Sequence, residues 1–353
     1  MTIPFVYQKS VYEPAVYSLL KLSEGHNHWS NNGPVVQLLE SSIRKRLYIN
    51  ASKSVIATAN GTCALFAVIE ALKFKDGTKD WIVPAFTFTC GNQGPLSNAT
   101  VVDVKRSGDL RSISEQELDL IDGIVVTNLF GWSSDLDCYK SYSEEYGKHI
   151  VYDSAASFGT RSIDQASYLG NFGTAEIFSF HHTKPMGFGE GGCIIIDKRY
   201  EDICRAIINF GKGYGYLPNA FNGKMSDVSA AYILSWWEIF DKHKMSRQHL
   251  HQFWRIVGIA ESLGICELAN YRTWVNQQDI AIPNAVALLF KKPIPQVKLH
   301  NQYVQLQKYY KPIESKSMAN HIYDHIVNFP CHPGVIALSD DEIYHILEGL
   351  LND

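Results

Sequence analysis

Apolar residues over roughly the first 200 positions follow two alternating patterns. Val35, Leu39, Ile43 and Leu47 recur at helical spacing, which predicts an amphipathic helix. Short apolar runs bounded by turn residues follow, with a buried helix expected at 63–72 after the first of them. The runs predict strands at 54–58, 81–84, 100–104, 123–128, 150–152, 176–180 and 192–197. This alternation indicates an α/β domain with a largely parallel sheet.

Beyond about residue 200, the apolar positions fall mainly at helical spacing. They predict a helix over 227–243, which contains Trp236 and Trp237, and a final helix over 340–351. Between these helices, prolines separate short apolar runs such as 285–290. The adjacent tryptophans on one helix would also suit a buried subunit interface.

The change of pattern divides the chain into two expected domains. Its 353 residues exceed the ~100–200 residues that are usual for one domain. We expect a large domain over 1–225, which begins with an N-terminal arm over 1–30. A smaller C-terminal α+β domain is expected over 226–353.

Charge and cysteine usage narrow the possible partners. The 32 Lys and Arg residues nearly balance the 36 Asp and Glu residues, so binding to nucleic acid has little support. The seven cysteines include no C-x-x-C pair, which argues against a disulfide framework and a structural metal site. Residues 1–9 lack the pattern of a secretion signal, and no apolar run of about 18 residues is present. A cytoplasmic protein without a membrane span is therefore expected.

The densest candidate chemistry surrounds Lys184. This lysine ends the segment Ser179–Lys184 and precedes a glycine-rich stretch over 187–192. A lysine is nucleophilic enough to form a Schiff base when its site lowers its pKa. Ser179 and Thr183 could donate to a phosphate, and glycines allow close backbone approach. From the residues alone, a Schiff-base lysine and a glycine-rich surface loop are equally good interpretations of this segment.

Three further segments at predicted strand ends carry matching chemistry. Asp153 follows an apolar strand, where a carboxylate could keep a pyridinium nitrogen protonated or simply cap the next turn. Asn60–Thr62 opens a helix whose N–H groups could bind an anion, although such turns are common. The aromatic residues of Pro84–Phe88 could stack on a planar cofactor or fill the core. In chain order, these are the parts that a pyridoxal phosphate site requires.

The segments together resemble the sugar-nucleotide aminotransferases of the DegT/DnrJ/StrS family, a branch of the fold-type I pyridoxal phosphate enzymes. The similarity runs from Trp29 to Gly334, except over 270–325. The matching segments are Asn60–Thr62 at the family's N-G-T, Pro84–Phe88 at its P-x-F-T-F, Ser179–Lys184 at its S-F-H-x-T-K, 190–192 at its E/D-G-G, and Asn222–Asp227 at the segment that reaches into the neighbouring subunit's site.

The resemblance implies a role for each site residue. Lys184 would hold pyridoxal 5′-phosphate as a Schiff base and later move the proton, with Asp153 paired to the pyridinium nitrogen. Phe88 would stack on the ring, and Asn222 would reach in from the partner chain of a homodimer. The expected cofactor contacts are Gly61, Thr62, Phe88, Asp153, Ser157, Ser179, Lys184 and Asn222, and the candidate substrate contacts are His181, His182 and Lys224. For either histidine, a packing role is equally common.

One position departs from the family's pattern. Three residues after the acid, the family commonly has Gln or His against the phenolic oxygen of the ring. This chain has Ala156 there, followed by Ser157. Either Ser157 or a water is expected to replace the contact.

The implied reaction passes an amino group from L-glutamate, through pyridoxamine phosphate, to a nucleotide-linked keto-sugar. Asn31–Pro34 and Asn222–Met225 most resemble enzymes that aminate C4 of dTDP-4-keto-6-deoxyglucose. Their product is dTDP-4-amino-4,6-dideoxyglucose (viosamine), a building block of bacterial O-antigens. UDP- or GDP-linked sugars, a C3 ketone, and a non-sugar substrate stay open.

Overall fold

A seven-stranded mixed sheet forms the centre of the N-terminal part of the protein. The computed structural model describes residues 2–162, 167–268 and 281–352. The strands are β1 (Lys53–Thr58), β2 (Trp81–Pro84), β3 (Thr100–Val102), β4 (Gly123–Thr127), β5 (His149–Asp153), β6 (Ala175–Ser179) and β7 (Gly192–Asp197). Their order is β1-β7-β6-β5-β4-β2-β3, and β7 runs antiparallel to both of its neighbours, while the other strand pairs are parallel.

Successive side chains of each strand enter two different cores. On β1, Val55 packs into one apolar cluster and Ile56 into the other. The helices of this part are α1 (Glu13–His26), α2 (Pro34–Arg46), α3 (Gly61–Asp76), α4 (Glu115–Asp119), α5 (Leu136–Tyr146) and α6 (Glu201–Ile207). Residues of α3 join the Ile56 core and residues of α2 join the Val55 core. A sheet buried on both faces explains why its strands appear as near-continuous apolar runs.

The remaining elements form a helical region and a small second sheet. They are α7 (Asp227–Lys242), α8 (Met245–Ser262), β8 (Cys266–Glu267), β9 (Ala285–Leu289), α9 (Ser317–His325), β10 (Ile326–Pro330) and α10 (Asp340–Leu351). The small sheet is antiparallel, in the order β10-β9-β8. Among the described residues, no helix has the length and apolar character needed to cross a bilayer.

The fold class expected from the sequence is confirmed. All seven predicted strands are present, and β2, β7 and α10 have the predicted bounds. The expected arm over 1–30 contains a helix, α1, that the apolar pattern does not indicate, because only Val16 and Ser23 of α1 are buried. The division between residues 225 and 226 stays a prediction.

A buried aspartate ties the start of the chain to α7. Asp227, which is fully buried, accepts hydrogen bonds from Ser23 Oγ at 2.5 Å, from Val35 N at 3.2 Å and from Val36 N at 3.0 Å. A Cβ on Gly33 would lie 2.5 Å from a carboxylate oxygen of Asp227. Gly33 therefore leaves room for the Asp227 carboxylate at the start of α2.

The suggested interface role of Trp236 and Trp237 is wrong. Both side chains are buried inside this chain, at 2% and 3% exposure. Their indole N–H groups donate to Pro185 O at 2.8 Å and Met186 O at 2.7 Å. Helical spacing marks a buried face, but it does not say whether the same chain or another covers it.

Candidate active site

A cavity of about 440 Å³ opens at one edge of the large sheet. Thr127, Asp153 and Ser179, the last residues of β4, β5 and β6, lie along it. The carboxyl ends of parallel strands meet at one edge, which is where open α/β sheets bind ligands. The predicted site residues that line the cavity are Gly61, Thr62, Phe88, Asp153, Ser179, His181 and Lys184.

Asp153 and Lys184 both line the cavity, and each affects the ionisation of the other. Asp153 is only 3% exposed, and its Oδ1 accepts a hydrogen bond from Ala155 N at 3.1 Å. Burial raises the pKa of Asp153, while the Ala155 N–H and the positive charge of Lys184 oppose the rise. Burial lowers the pKa of Lys184, and the negative charge of Asp153 opposes this. Each group thus favours the charged form of the other, but burial outweighs this effect in both pKa shifts.

The surroundings of Asp153 fit a cationic ring nitrogen. Among the described residues, no basic side chain lies within ion-pairing distance of its carboxylate. A buried carboxylate with a single N–H donor is stabilised by a ligand that brings a charged N–H. A protonated pyridine nitrogen is such a group.

The turn before α3 brings backbone N–H groups and a hydroxyl to the cavity. Asn60 caps the helix by accepting from Cys63 N at 2.8 Å, which leaves the N–H groups of Gly61 and Thr62 at the helix start. A Cβ on Gly61 would lie 3.1 Å from Ser179 Cβ, so glycine lets the turn approach the end of β6. Helix N–H groups and the hydroxyls of Thr62 and Ser179 suit a phosphate.

The loop that carries Lys184 is tightly folded against β6. Phe188 N donates to Phe180 O at 2.9 Å, and Gly187 N donates to Lys184 O at 3.0 Å. A Cβ on Gly187 would lie 2.1 Å from His181 O. The glycines of this segment therefore allow close packing, which excludes a loose surface loop.

The two candidate histidines have different surroundings. His181 lines the cavity, with Nδ1 2.8 Å from Thr183 Oγ1 and Nε2 3.5 Å from Glu190 Oε1. His182 does not line it, and its ring meets Phe188 edge-on at 5.6 Å between centroids. Burial lowers the pKa of His182, with smaller contributions from the charges of Lys9 and His181. The geometry favours packing for His182, and a substrate contact by either histidine stays a prediction.

The expected cofactor contact of Ser157 is wrong. Ser157 is fully buried outside the cavity, and its hydroxyl is directed at Trp132 O, 3.1 Å away, and Asn128 O, 3.3 Å away. Ala156 itself lines the cavity, so the wall at this position is apolar. The turn after β5 directs the two consecutive side chains differently, which residue order does not reveal.

Asn222 and Lys224 lie outside this chain's own cavity. Gly223 O accepts from Ala59 N at 2.7 Å, which pairs the segment with the end of β1. Lys224 Nζ donates to Asn222 Oδ1 at 2.7 Å, and Asn222 is exposed. Their contribution to a partner's site stays a prediction.

A second wall of the cavity comes from residues that the motifs do not indicate. Tyr310 stacks on Phe130 with centroids 5.4 Å apart and planes at 16°. Asn284 and Tyr309 also line the cavity, and Asn284 Oδ1 is buried without a hydrogen-bond partner among the described residues. All three lie in the 270–325 region, of which 270–280 is outside the described residues. No local pattern in the sequence marks them.

Comparison with known proteins agrees with this geometry. The model of the DegT/DnrJ/EryC1/StrS aminotransferase family matches residues 19–350. Protein MT3510 of Mycobacterium tuberculosis is 32% identical over 251 residues, which cover 67% of this chain and 60% of that protein. The match therefore spans about 60% of the length of this relative.

Several relatives have names that state a sugar. The dTDP-4-amino-4,6-dideoxy-D-glucose transaminase of Shigella dysenteriae is 27% identical, over 65% of this chain and 63% of that protein. The GDP-perosamine synthase of Vibrio cholerae is 23% identical, over 92% of both chains.

A solved structure shows the same fold. The DegT DnrJ EryC1 StrS aminotransferase from Brucella abortus superposes with a TM-score of 0.79 at 19% identity, over 97% of this chain and 96% of that one. The fold-type I aminotransferase fold expected from the sequence is thus confirmed. With the family model covering nearly the whole chain, the protein belongs to the DegT/DnrJ/EryC1/StrS aminotransferase family, whose cofactor is pyridoxal 5′-phosphate.

Proposed function

We propose that the protein is a pyridoxal phosphate-dependent aminotransferase that acts on a nucleotide-linked sugar. The amino group passes from L-glutamate to the C4 ketone of a 4-keto-6-deoxyhexose, with dTDP-4-keto-6-deoxyglucose as the first candidate. The observation that carries the proposal is one cavity that holds a pKa-lowered lysine, a buried carboxylate and an anion-binding turn. The amino sugar would serve O-antigen or related surface glycan synthesis.

The strand-end wall provides the contacts for the cofactor. Gly61, Thr62 and Ser179 hold the phosphate through N–H and hydroxyl donors. Phe88, 54% exposed at the cavity, offers a ring face for stacking. When bound, pyridoxal phosphate supplies an electron sink for negative charge at the reacting carbon.

Asp153 keeps a proton on the ring nitrogen. Its burial favours the neutral acid, and the charge of Lys184 only partly opposes this, whereas a charged N–H in direct contact would favour the carboxylate more strongly. The carboxylate then stays ionised, and the proton that it faces stays on the ring. The electron sink depends on that proton.

Lys184 binds the cofactor and then moves a proton. The amine of a free lysine, with a pKa near 10.4, is about 99.9% protonated at neutral pH and cannot act as a base. Burial in the cavity lowers the pKa of Lys184 and increases the fraction of free amine. A side chain placed in this way typically accelerates proton transfer about 10²–10⁴-fold.

The choice of sugar rests on resemblance. Asn31–Pro34 and Asn222–Met225 resemble the dTDP-sugar enzymes, and the Shigella dysenteriae relative has that sugar in its name. A GDP-linked 4-keto sugar is the second candidate, because the match to GDP-perosamine synthase covers 92% of both chains. A homodimer with shared sites is part of the proposal, since Asn222 is exposed beside β1 and could extend into a partner.

Mass spectrometry tests the proposal directly. The purified protein is loaded with pyridoxal phosphate and incubated with glutamate and dTDP-, GDP- or UDP-linked 4-keto-6-deoxy sugar. Conversion of ketone to amine should be fastest for the dTDP sugar and absent in Lys184→Ala. Turnover of amino acids or amino alcohols in place of every sugar would overturn the substrate class, and turnover by Lys184→Ala would overturn the role of Lys184.

A further inference from the structure

The backbone of the Lys184 loop is held by three side chains from elsewhere in the chain. Carbonyl oxygens of five residues over 182–187 accept N–H hydrogens from Lys9, Trp236 and Trp237. Lys9 Nζ lies 2.7 Å from His182 O, 2.6 Å from Lys184 O and 2.5 Å from Gly187 O, and the tryptophans donate to Pro185 O and Met186 O. Almost every carbonyl around Lys184 is therefore fixed from outside the loop.

Lys9 is an unusual residue for this task. It lies in the segment before α1, and its ammonium is 5.4 Å from the ring centroid of Trp236. Among the described residues, no carboxylate forms an ion pair with it. The three hydrogens of an ammonium match the three carbonyl acceptors, whereas a neutral amine has only two. Burial lowers the pKa of Lys9 to about 7. Hydrogen bonds to three carbonyls and a nearby aromatic ring are contacts that favour the charged ammonium.

The segment that carries Lys9 is itself anchored. His332 accepts from Gly334 N through Nδ1 at 3.1 Å, so its Nε2 carries the hydrogen that is donated to Pro4 O at 2.8 Å. Tyr7 packs on the His332 ring with centroids 5.4 Å apart. These contacts hold residues 4–7 and place Lys9 opposite the loop.

We propose that Lys9 is a positioning residue, which fixes the Lys184 loop so that the Lys184 amine stays directed into the cavity. Lys9 does not line the cavity, so it acts through the loop backbone. The role of Lys184 in this inference rests on the proposed function. Without Lys9, three carbonyls beside the reactive lysine each lose a donor, with Lys184 O keeping only the Gly187 N–H, and the loop can adopt other conformations. Misplacement of a reacting group by about 1 Å can cost ~100-fold in rate.

The test compares Lys9→Met with Lys21→Met in the full-length protein. Both replace a lysine by an apolar side chain of similar length near the N-terminus, but Lys21 lies exposed on α1, where it contacts only its helix neighbours Glu24 and Tyr17 among the described residues. Lys9→Arg is the conservative variant, because guanidinium N–H groups can reach several carbonyls. If Lys9→Met does not fold, Lys9→Gln, which keeps two donors, takes its place.

The first measurement is hydrogen exchange of the loop amides, without added cofactor. Lys184 N donates to His181 O at 2.9 Å and Gly187 N to Lys184 O at 3.0 Å, so both report on loop order. Exchange at these amides should be at least about 10-fold faster in Lys9→Met and unchanged in Lys21→Met. Equal exchange in the wild type and Lys9→Met would overturn the proposal.

The second measurement is borohydride trapping of pyridoxal phosphate on Lys184, together with steady-state kinetics. Lys9→Met should trap the cofactor about 10- to 100-fold more slowly and lose a similar factor in kcat, with KM for the sugar changed less than about 3-fold. Lys9→Arg should recover most of the trapping rate. Faster loop exchange with normal trapping would show a purely structural role and overturn the inference.

The two measurements separate this inference from the proposed function. If the wild type traps no cofactor on Lys184, the proposed function fails, and hydrogen exchange still decides whether Lys9 holds the loop. If the wild type traps cofactor and Lys9→Met does so equally well, only the inference about Lys9 fails.

Discussion

The two walls of the cavity differ in how they are built. One wall consists of strand ends and the turns that follow them, including Asp153, Ser179 and Lys184. The other consists of Asn284, Tyr309 and Tyr310, which lie outside the large sheet. The first wall is assembled by sheet topology and carries recognisable motifs. The second wall depends on where a segment distant in sequence packs. No local sequence motif therefore identifies its residues.

The comparison implies that the two walls have different roles, one in cofactor binding and one in substrate binding. The strand-end wall contains the cofactor contacts of the proposed function, and its loss should abolish chemistry. The second wall faces the same space with aromatic and amide groups, and its loss should weaken substrate binding. Four experiments test this division, from the largest expected effect to the smallest.

The largest effect is expected from Lys184→Ala. Removal of the attachment point and the proton carrier should lower kcat by roughly 10⁴-fold or more, because both functions depend on one amine. Steady-state turnover and borohydride trapping provide the measurement, with Lys21→Ala as the control. A loss below about 10-fold would break the assignment of chemistry to the strand-end wall.

Asp153→Asn should have the next largest effect. The amide keeps the size of the side chain but cannot hold a ring proton by charge, so kcat should fall roughly 10²–10³-fold. Cofactor retention on dialysis should also weaken. Asp109→Asn, an acid outside the cavity that accepts from Ser107 Oγ at 2.8 Å, is the matched control. Equal activity of the two variants would contradict the role of Asp153.

Tyr310→Phe tests the second wall. The ring still stacks on Phe130, and only the hydroxyl is lost. If this wall contacts the sugar, KM for the sugar should rise about 5- to 10-fold, which corresponds to one hydrogen bond of ~1 kcal/mol, with cofactor trapping unchanged. The control is Tyr344→Phe on α10, far along the chain. A fall in trapping rather than a rise in KM would place Tyr310 with the cofactor instead.

The smallest effect on chemistry is expected at Glu176, which lies inside β6 beneath the strand-end wall. Burial raises the pKa of this carboxyl to about 7, while the Ser154 hydroxyl, the Gly170 N–H and the charge of Lys53 oppose the rise. The folded state thus holds the proton to higher pH than the unfolded state. The stabilisation is complete below the unfolded pKa of about 4.3 and is lost as pH rises to 7.

Urea unfolding between pH 5 and 8 measures this effect. The free energy of unfolding should fall with rising pH, by an amount on the order of 3 kcal/mol from this group. Glu176→Gln, whose Oε1 can accept from the Gly170 N–H while its Nε2 faces the Ser154 hydroxyl oxygen, stays neutral at every pH and should lack this component of the slope. The same slope in both proteins would show that another group is responsible.

The sequence predicts the fold and the strand-end wall well. The α/β class, all seven large-sheet strands and the positions of Lys184, Asp153 and the α3 turn agree with the structure. Each of these depends on local rules: apolar runs form strands, Asn caps a helix, and parallel strand ends meet at one edge. The helix α1 was not predicted because so few of its residues are buried.

Other outcomes depend on contacts that no local rule contains. Ser157 turns away from the cavity, Trp236 and Trp237 are buried inside the chain, and Lys9 reaches carbonyls 173 to 178 positions away. In each case the sequence gives the residue type, but it does not indicate which residue the side chain contacts. Side-chain direction after a turn and long-range pairing are set by the packing of the whole chain.

By itself, the sequence determined which strands form, which edge of the sheet carries the chemistry, and that a lysine and a carboxylate lie there. Only the tertiary structure decided what surrounds them: the second wall with Tyr310 and Asn284, and the donors that hold the Lys184 loop. The physical reason is the distance along the chain over which each interaction acts. Backbone propensity and apolar periodicity act over a few residues, whereas burial and hydrogen-bond partners depend on elements brought together by the fold.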